Sequence, residues 1–376
     1  MSRYKSPGVY ITEVQSRVSA IVGVSTSNAA FVGVAEKGPL DEAVLINNYS
    51  EFYDNYGSPV TGDWLAHAVR LFFENGGARL YIARVDAGAG TVADEQQYKS
   101  AFSLLDGIHD IGLIAAPGIG SSTMIDFAAE YCQERGDCFY IADIPEIDNT
   151  ADMAIERANT FNANPYAAVY FPWIEINDVT TNTIITIPPS GAVAGIYAQT
   201  DMTRGVWKAP AGIEAKIYGA TGLALNISGQ KQDALNSSGI NTIRIFPEKG
   251  MVIWGARTLD SRPDAEFRYV NIRRTVNFIE QSIIQGIHWA VFETNDEMLW
   301  AKLRAVISNF LMDIWREGGL TGSAPNQAYF VECGHNTNTQ NDIDNGIVNV
   351  VIGIAPLRPA EFVIIRISQR INVTKN

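Results

Sequence analysis

Apolar residues in the first half of the chain occur in short continuous runs that are separated by amphipathic stretches. The runs are five or six residues long, which is typical of strands buried on both faces of a parallel sheet. The stretches between them carry apolar residues at helical spacing. This strand–helix–strand repetition predicts an α/β domain with a mostly parallel sheet and helices on both faces. The predicted strands are residues 30–34, 80–85, 111–115, 138–142 and 167–171, and the predicted helices are 63–75, 94–105, 123–135 and 152–162.

The pattern changes after residue 171. Alternating segments at 173–177 and 183–187 predict a β-hairpin, and the residues 188–191 (Pro-Pro-Ser-Gly) are expected to interrupt regular structure. Turn-forming residues at 204–212 predict an ordered loop, and 235–239 is the predicted seam between two domains. A smaller α+β domain is expected to follow, with strands at 243–246, 251–254 and 289–292 and helices at 267–285 and 296–317.

Both ends of the chain show the alternation of apolar and polar residues that is typical of strands. The alternation covers residues 363–373 near the C-terminus and 14–24 near the N-terminus, where Ile21 interrupts it. Burial stabilises each Val or Ile by about 1.5–3 kcal/mol, so we expect something to cover these strands. Either each end pairs with the protein's own sheet, which periodicity alone favours, or the ends are donated to neighbouring copies.

Composition limits the class of protein. The 376 residues carry a net charge of −13, which argues against sequence-independent binding of nucleic acid. Three cysteines cannot form a disulfide framework. The N-terminus lacks the apolar segment of a signal peptide, and no apolar run reaches about 18 residues. We therefore expect a soluble multidomain protein that is made in the cytoplasm.

Charge is unevenly distributed along the chain. Residues 1–200 contain 24 acidic and 10 basic side chains, a net charge of −14, whereas residues 201–376 have a net charge of +1. Two surfaces that face different partners would produce this asymmetry, and so would an undirected drift of solvated side chains.

An enzyme with this fold would place its chemistry in loops at the carboxyl ends of the parallel strands. The best candidates are the segment from Gly118 to Ser122 and the carboxylate of Asp143. The segment matches neither G-x-G-x-x-G nor G-x-x-x-x-G-K-[ST], and a residue that caps the next helix explains it. We predict no catalytic residue, cofactor or metal, and a soluble α/β enzyme with a site at these loops is the competing interpretation.

Longer motifs occur in order along nearly the whole chain. They include Ser6-Pro7-Gly8-Val9-Tyr10-Ile11-Thr12-Glu13 near the start and Trp254-Gly255-Ala256-Arg257-Thr258-Leu259 in the second half. The remaining motifs are residues 31–39, 72–77, 81–85, 188–195, 204–210, 268–274, 291–296 and 358–362. With these motifs the chain resembles contractile tail sheath proteins. Its compact length is similar to that of the sheaths of phage-tail-like injection systems.

The resemblance implies a structural assembly protein and not an enzyme. Sheath subunits form hexameric rings that stack helically around an inner tube, and contraction of the sheath drives the tube through a target envelope. The implied partners are other copies of the chain, the inner tube protein, and the baseplate and tail-terminator proteins. No direct contact with nucleic acid and no insertion into a membrane are implied. Assembly in the cytoplasm of the producing cell is implied, followed by a place in a virion tail or a released particle.

The resemblance also implies a role for each part of the chain: an N-terminal linking arm at 1–24, an outer α/β domain at 25–235, an inner domain facing the tube at 236–357, and a C-terminal linking arm at 358–376. It therefore favours donated strands over self-paired ends, and an acidic exterior around a near-neutral interior would explain the charge asymmetry. The implied linking residues are Val9, Ile11, Val18, Val22, Val363, Ile365, Ile367 and Ile371, and the candidate tube-facing residues are Arg304, Arg316, Glu317 and Gly318.

Overall fold

The computed structural model describes residues 20–60, 62–87, 93–178 and 181–361, which form two compact units. The larger unit contains residues 24–281, 319–321 and 356–361, and the smaller unit contains residues 20–23, 282–318 and 322–355. The strands are β1 Ala29–Val34, β2 Val44–Ile46, β3 Leu80–Val85, β4 Leu113–Ala115, β5 Phe139–Asp143, β6 Ala167–Phe171, β7 Ile174–Asp178, β8 Thr183–Ile187, β9 Gly222–Leu223, β10 Ile240–Phe246, β11 Gly250–Ile253, β12 Tyr329–Glu332 and β13 Val351–Ile354. The helices are α1 Tyr49–Tyr56, α2 Leu65–Glu74, α3 Glu95–Phe102, α4 Ser122–Arg135, α5 Ala151–Ala158, α6 Ser190–Arg204, α7 Gly229–Ser237, α8 Val270–Gly286, α9 Glu297–Arg316, α10 Pro325–Ala328 and α11 Gln340–Asp344.

The larger unit is built around a sheet in the order β11-β10-β6-β5-β4-β1-β3-β2. The inner pairs are parallel, and only the edge strands β11 and β2 pair antiparallel with their neighbours. Each face carries its own apolar core. One core joins the sheet to α2 and α6, and the other joins it to α3, α4 and α5. The α/β fold with a mostly parallel sheet and helices on both faces is therefore confirmed.

Local signals in the sequence explain where several helices begin and end. The side chain of Asp94 caps α3 and forms a capping box with Gln97. Ser121 caps α4 at its start, and Gly136 ends it in the left-handed conformation with a φ of 71°. Asp296 caps α9 by accepting a hydrogen bond from the amide of Leu299. At these caps the helices begin or end within a few residues of their predicted bounds.

The expectation that residues 188–191 interrupt regular structure is wrong for Ser190 and Gly191, which are helical. The predicted hairpin is present as β7 and β8, but α6 begins directly at Ser190 after Pro189. The helix packs closely on α2, because a Cβ on Gly191 would lie 2.4 Å from the carbonyl oxygen of Ala68 and one on Gly195 would lie 2.5 Å from that of Phe72. Glycine at these two positions lets the helix backbones approach.

The domain boundary expected between residues 235 and 236 falls inside the larger unit. β10 continues the main sheet by pairing in parallel with β6, from Ile240 opposite Val169 to Thr242 opposite Phe171. The change to the smaller unit instead comes at residue 282, within α8.

The smaller unit has its apolar core along one face of α9. Leu299, Trp300 and Leu303 of this helix pack with Cys333, which is buried at the end of β12. The prediction of a strand at 289–292 is wrong, because His288–Ala290 forms a short 3-10 turn. Phe292 then adopts a φ of 67°, which is incompatible with an extended strand.

Candidate assembly surfaces

The smaller unit contains a two-stranded sheet whose outer edges pair with no other described strand. β12 and β13 pair antiparallel from Tyr329 opposite Ile354 to Glu332 opposite Val351, and no third strand joins them among the described residues. Two isolated strands are only marginally stable, and unpaired edges can accept an extended chain. We call β12 and β13 the acceptor sheet. Phe330 and Val351 on it are 52% and 45% exposed, so it also offers apolar surface to a further strand.

A groove lies along the solvent-facing side of α9, within the same unit. It has a volume of about 330 Å³ and is lined by Ala20, Ile21, Lys302, Ala305, Val306, Asn309, Phe310 and Asp313. Ile21 is buried beside Gly286, where a Cβ would lie 2.5 Å from Cγ1 of the isoleucine. The chain near residue 20 is therefore fixed against the end of α8.

Only one of the predicted linking residues belongs to the described chain. Val22 is 79% exposed, which leaves its side chain available for contact with another molecule. The other linking residues, Val9, Ile11, Val18, Val363, Ile365, Ile367 and Ile371, lie outside the described residues.

The candidate tube-facing residues divide into two kinds. Arg316, Glu317 and Gly318 form an exposed end of α9, and Arg316 lies 3.6 Å from the carboxylate of Asp313 in an exposed pair. Arg304 is half-buried, and its guanidinium donates to the backbone carbonyl of Cys333. Arg304 therefore connects α9 with the residue that follows β12, whereas the other three present polar groups to solvent.

An exposed apolar loop lies between α8 and α9, where the sequence predicts a strand at 289–292. Phe292 is fully exposed and Val291 is 65% exposed, and Met298 at the start of α9 is 66% exposed. A left-handed conformation costs a non-glycine residue about 1–2 kcal/mol, and such strain is commonly kept for function. Four consecutive apolar letters at 289–292 suggested burial, so the sequence carried no signal that distinguished a core strand from an exposed contact.

We expect Phe292→Gly to change the free energy of unfolding by less than about 1 kcal/mol, because glycine tolerates the positive φ and no buried contact is lost. Leu311→Ala, at a fully buried position of α9, should lower it by about 2–5 kcal/mol. Urea titration of both variants measures these effects. A loss for Phe292→Gly as large as that for Leu311→Ala would show that this loop is part of the core.

Comparison with known proteins identifies the family to which this chain belongs. The family model for the phage tail sheath protein central domain matches residues 92–259, and the model for the phage tail sheath C-terminal domain matches residues 262–370. Together the two matches cover nearly three quarters of the chain. The chain belongs to the phage tail sheath family.

Solved structures resemble this sheath protein along almost its whole length. A sheath protein of the extracellular contractile injection system PVC, in the contracted state, is 34% identical with a TM-score of 0.81 and a coverage of 98% of this chain and 99% of that chain. A protein in the baseplate structure of the anti-feeding prophage is 29% identical with a TM-score of 0.78, covering 98% and 100% of the two chains. The tail sheath protein of Vibrio phage KVP40 is 29% identical over 178 residues, which are 47% of this chain but only 26% of that relative.

The strand-end loops of this sheath protein have structural roles, in keeping with a family that is structural and not enzymatic. Asp143, at the end of β5, accepts hydrogen bonds from the amides of Gly118 and Ser190 and from the hydroxyl of Ser190, at 2.7–3.0 Å. Its carboxylate therefore connects the end of β5 with the loop that contains Gly118 and with the first residue of α6. Ser122 is the first residue of α4. None of the helices in the described part of the chain is long and apolar enough to span a membrane.

Burial raises the pKa of Asp143 to about 6, although its hydrogen bonds oppose this. The folded protein therefore holds this proton more tightly than the unfolded chain, whose aspartates have a pKa of about 3.9. The resulting stabilisation is present below pH 4 and is lost as the pH rises to 6, by up to about 3 kcal/mol. We expect Asp143→Asn to remove this part of the pH dependence in urea titrations between pH 4 and 7. Identical slopes for the variant and the wild type would contradict the assignment.

Proposed function

We propose that the protein polymerises into hexameric rings stacked around an inner tube, and that contraction of this sheath drives the tube through a target cell envelope. The observation that carries the proposal is the full-length similarity to the sheath of an extracellular contractile injection system in its contracted state. The subunit contributes a rigid α/β body, a smaller unit with an open sheet, and two arms that connect neighbouring copies.

The linking role belongs to the arms. A strand donated to the acceptor sheet would gain several backbone hydrogen bonds worth about 1 kcal/mol each. Burial of Val363, Ile365, Ile367 and Ile371 would add about 1.5–3 kcal/mol per side chain. The N-terminal arm would contribute Val9, Ile11, Val18 and Val22 in the same way. Such links survive while weaker surface contacts exchange.

The sliding role belongs to polar faces of the units. Exposed ion pairs contribute about 0–1 kcal/mol each and can be replaced at little cost when subunits shift. A sheath needs both kinds of contact, because it must change between two lattices without coming apart.

We further propose that the side of the subunit that faces the inner tube lies within residues 236–357 and that the outward side lies within residues 25–235. Arg316, Glu317 and Gly318 are the favoured tube-facing residues because they are exposed at the end of α9. The net charges of −14 for residues 1–200 and +1 for residues 201–376 support an acidic exterior and a near-neutral interior.

The partners of the assembled sheath follow from the same similarity. A relative in a baseplate structure supports contact with baseplate proteins at one end of the sheath, and a tail-terminator protein would close the other end. We propose that assembly takes place in the cytoplasm of the producing cell, and that the sheath then forms part of a virion tail or a released phage-tail-like particle.

The test is expression of the chain alone and together with its tube protein, followed by negative-stain electron microscopy and size-exclusion chromatography. Striated hollow tubes from either sample would support the proposal, and wide tubes from the chain alone would identify the contracted lattice as the energy minimum. A monomer in both samples would contradict it.

A further inference from the structure

The first turns of α8 hold two segments that are far apart in sequence. The side-chain amide of Asn271 donates to the carbonyl of Leu357 at 3.0 Å, and the guanidinium of Arg274 donates to the carbonyl of Thr26 at 3.0 Å. Residues three apart lie on the same side of a helix, and both side chains are almost fully buried. One helix face therefore binds the chain just after the N-terminal linking arm and just before the C-terminal one.

The segment around Thr26 is also fixed from a second direction. The amide of Gly112 donates to the carbonyl of Asn28 at 2.9 Å, and the side chain of Asn28 donates to Asp110 at 2.9 Å. Any Cβ on Gly112 would lie 2.3 Å from the carbonyl oxygen of Thr26. The backbone at residues 26–28 is thus held between α8 and the start of β4.

Glu361, at the C-terminal limit of the described chain, is fixed by three side chains. The guanidinium of Arg257 donates to its two carboxylate oxygens at 2.8 and 2.7 Å. Asn236 and Tyr269 each donate a further hydrogen bond at 3.1 Å. Partial burial alone would raise the pKa of Glu361, but these hydrogen bonds hold it below its ordinary value. A bidentate pair with an arginine that is only 5% exposed fixes both position and direction.

We propose that these contacts position the two linking arms: Thr26 fixes the chain that follows the N-terminal arm, and Glu361 fixes the point from which the rest of the C-terminal arm leaves the larger unit as a link of set length. We call the contacts of Thr26, Leu357 and Glu361 with Asn271, Arg274 and Arg257 the arm clamp. The proposal rests on the proposed function, in which the arms are strands donated to neighbouring copies. The residues of the arm clamp are positioning residues, because they act on the lattice through the arms.

The clamp makes a specific prediction about chain length. Residues 358–360 lie between the anchors Leu357 and Glu361, and Arg358 and Ala360 are exposed. Extra residues inserted there can bulge into solvent while Glu361 keeps the start of the arm in place. The same residues inserted after Glu361 lengthen the arm itself, by about 3.3 Å for each residue in an extended chain, which lowers its effective concentration at the neighbouring copy.

The experiment compares a Gly-Ser-Gly-Ser insertion between residues 359 and 360 with the same insertion between residues 361 and 362, in the full chain. The critical concentration for tube formation is measured by sedimentation, together with the urea unfolding of the unassembled protein. We expect the first insertion to behave like the wild type and the second to raise the critical concentration severalfold. In a Glu361→Ala background the first insertion should become as harmful as the second, because the anchor that absorbed it is gone.

The outcomes separate the clamp from the proposed function. Equal critical concentrations for the two insertions would overturn the clamp, as would an effect of Glu361→Ala on unfolding with none on assembly. If a chain lacking residues 363–376 still forms tubes, strand donation itself is wrong, whatever the insertions do. Both insertions leave every clamp side chain in place, so a failure of Glu361→Ala to fold would not affect the comparison.

Discussion

Removal of residues 363–376 will give a folded protein that does not polymerise. The eight described strands of the main sheet all lie before residue 254, and the described part of the larger unit ends at Glu361, so the deletion should change the unfolding free energy by less than about 1 kcal/mol. Assembly should be lost, because each subunit would lose the backbone hydrogen bonds and buried aliphatic side chains of its donated strand. Size-exclusion chromatography and electron microscopy measure both results.

A matched pair of point variants tests the same idea without truncation. Serine at Val363, Ile365, Ile367 and Ile371 changes one face of the predicted strand, whereas Arg366→Ser and Arg370→Ser change the other. We expect the first set to prevent tube formation and the second to permit it. Long contractile tubes from the deletion, or from the first set, would rule out the C-terminal arm as the link.

Arg274→Met will strongly destabilise the larger unit. The guanidinium of Arg274 binds both carboxylate oxygens of Asp201, at 2.9 and 2.6 Å, and both side chains are only 3% exposed. Removing one partner leaves a buried charge without compensation, which costs about 3–5 kcal/mol. The measurement is the urea unfolding midpoint of the unassembled protein.

Helix α6, which carries Asp201, offers a control for this substitution. Arg204, one turn after Asp201 on α6, pairs with Glu214, and these side chains are 51% and 61% exposed. Arg204→Met should therefore cost less than about 1 kcal/mol. Adding Asp201→Asn to Arg274→Met should recover part of the lost stability, because the buried charge is removed. Similar losses for Arg274→Met and Arg204→Met would contradict the buried-pair interpretation.

The sequence predicted the strands and helices that follow a simple physical rule. The central strands of the parallel sheet are buried on both faces, so they appear as continuous apolar runs, and capped amphipathic helices such as α4 have visible limits. α6 was missed because residues 190–198 are buried on every side, so the helix has no polar face to create a periodic pattern. The opposite error occurred at 289–292, where apolar residues are exposed.

The assembly surfaces were less accessible to sequence reasoning. Alternation indicated the arms, and the family resemblance supplied their role. The acceptor sheet was not predicted, because β12 and β13 have four residues each and are only half-buried. The arm clamp joins Arg257 to Glu361, which are 104 residues apart, and Asn271 to Leu357, which are 86 apart. Polar contacts over such distances leave no local pattern in one sequence.

The long sequence separations within the arm clamp have a consequence for protein quality control. The arm clamp closes only when residues 26, 257, 271 and 274 have folded together and the chain has been synthesised as far as Glu361. Domains of this size fold largely as units, and incompletely folded chains expose unpaired strand edges. A partly folded subunit would hold neither arm in position and would enter the lattice poorly. Under the proposed arm-linked assembly, correct presentation of the arms requires a folded larger unit, so incompletely folded copies would be incorporated less readily than folded ones.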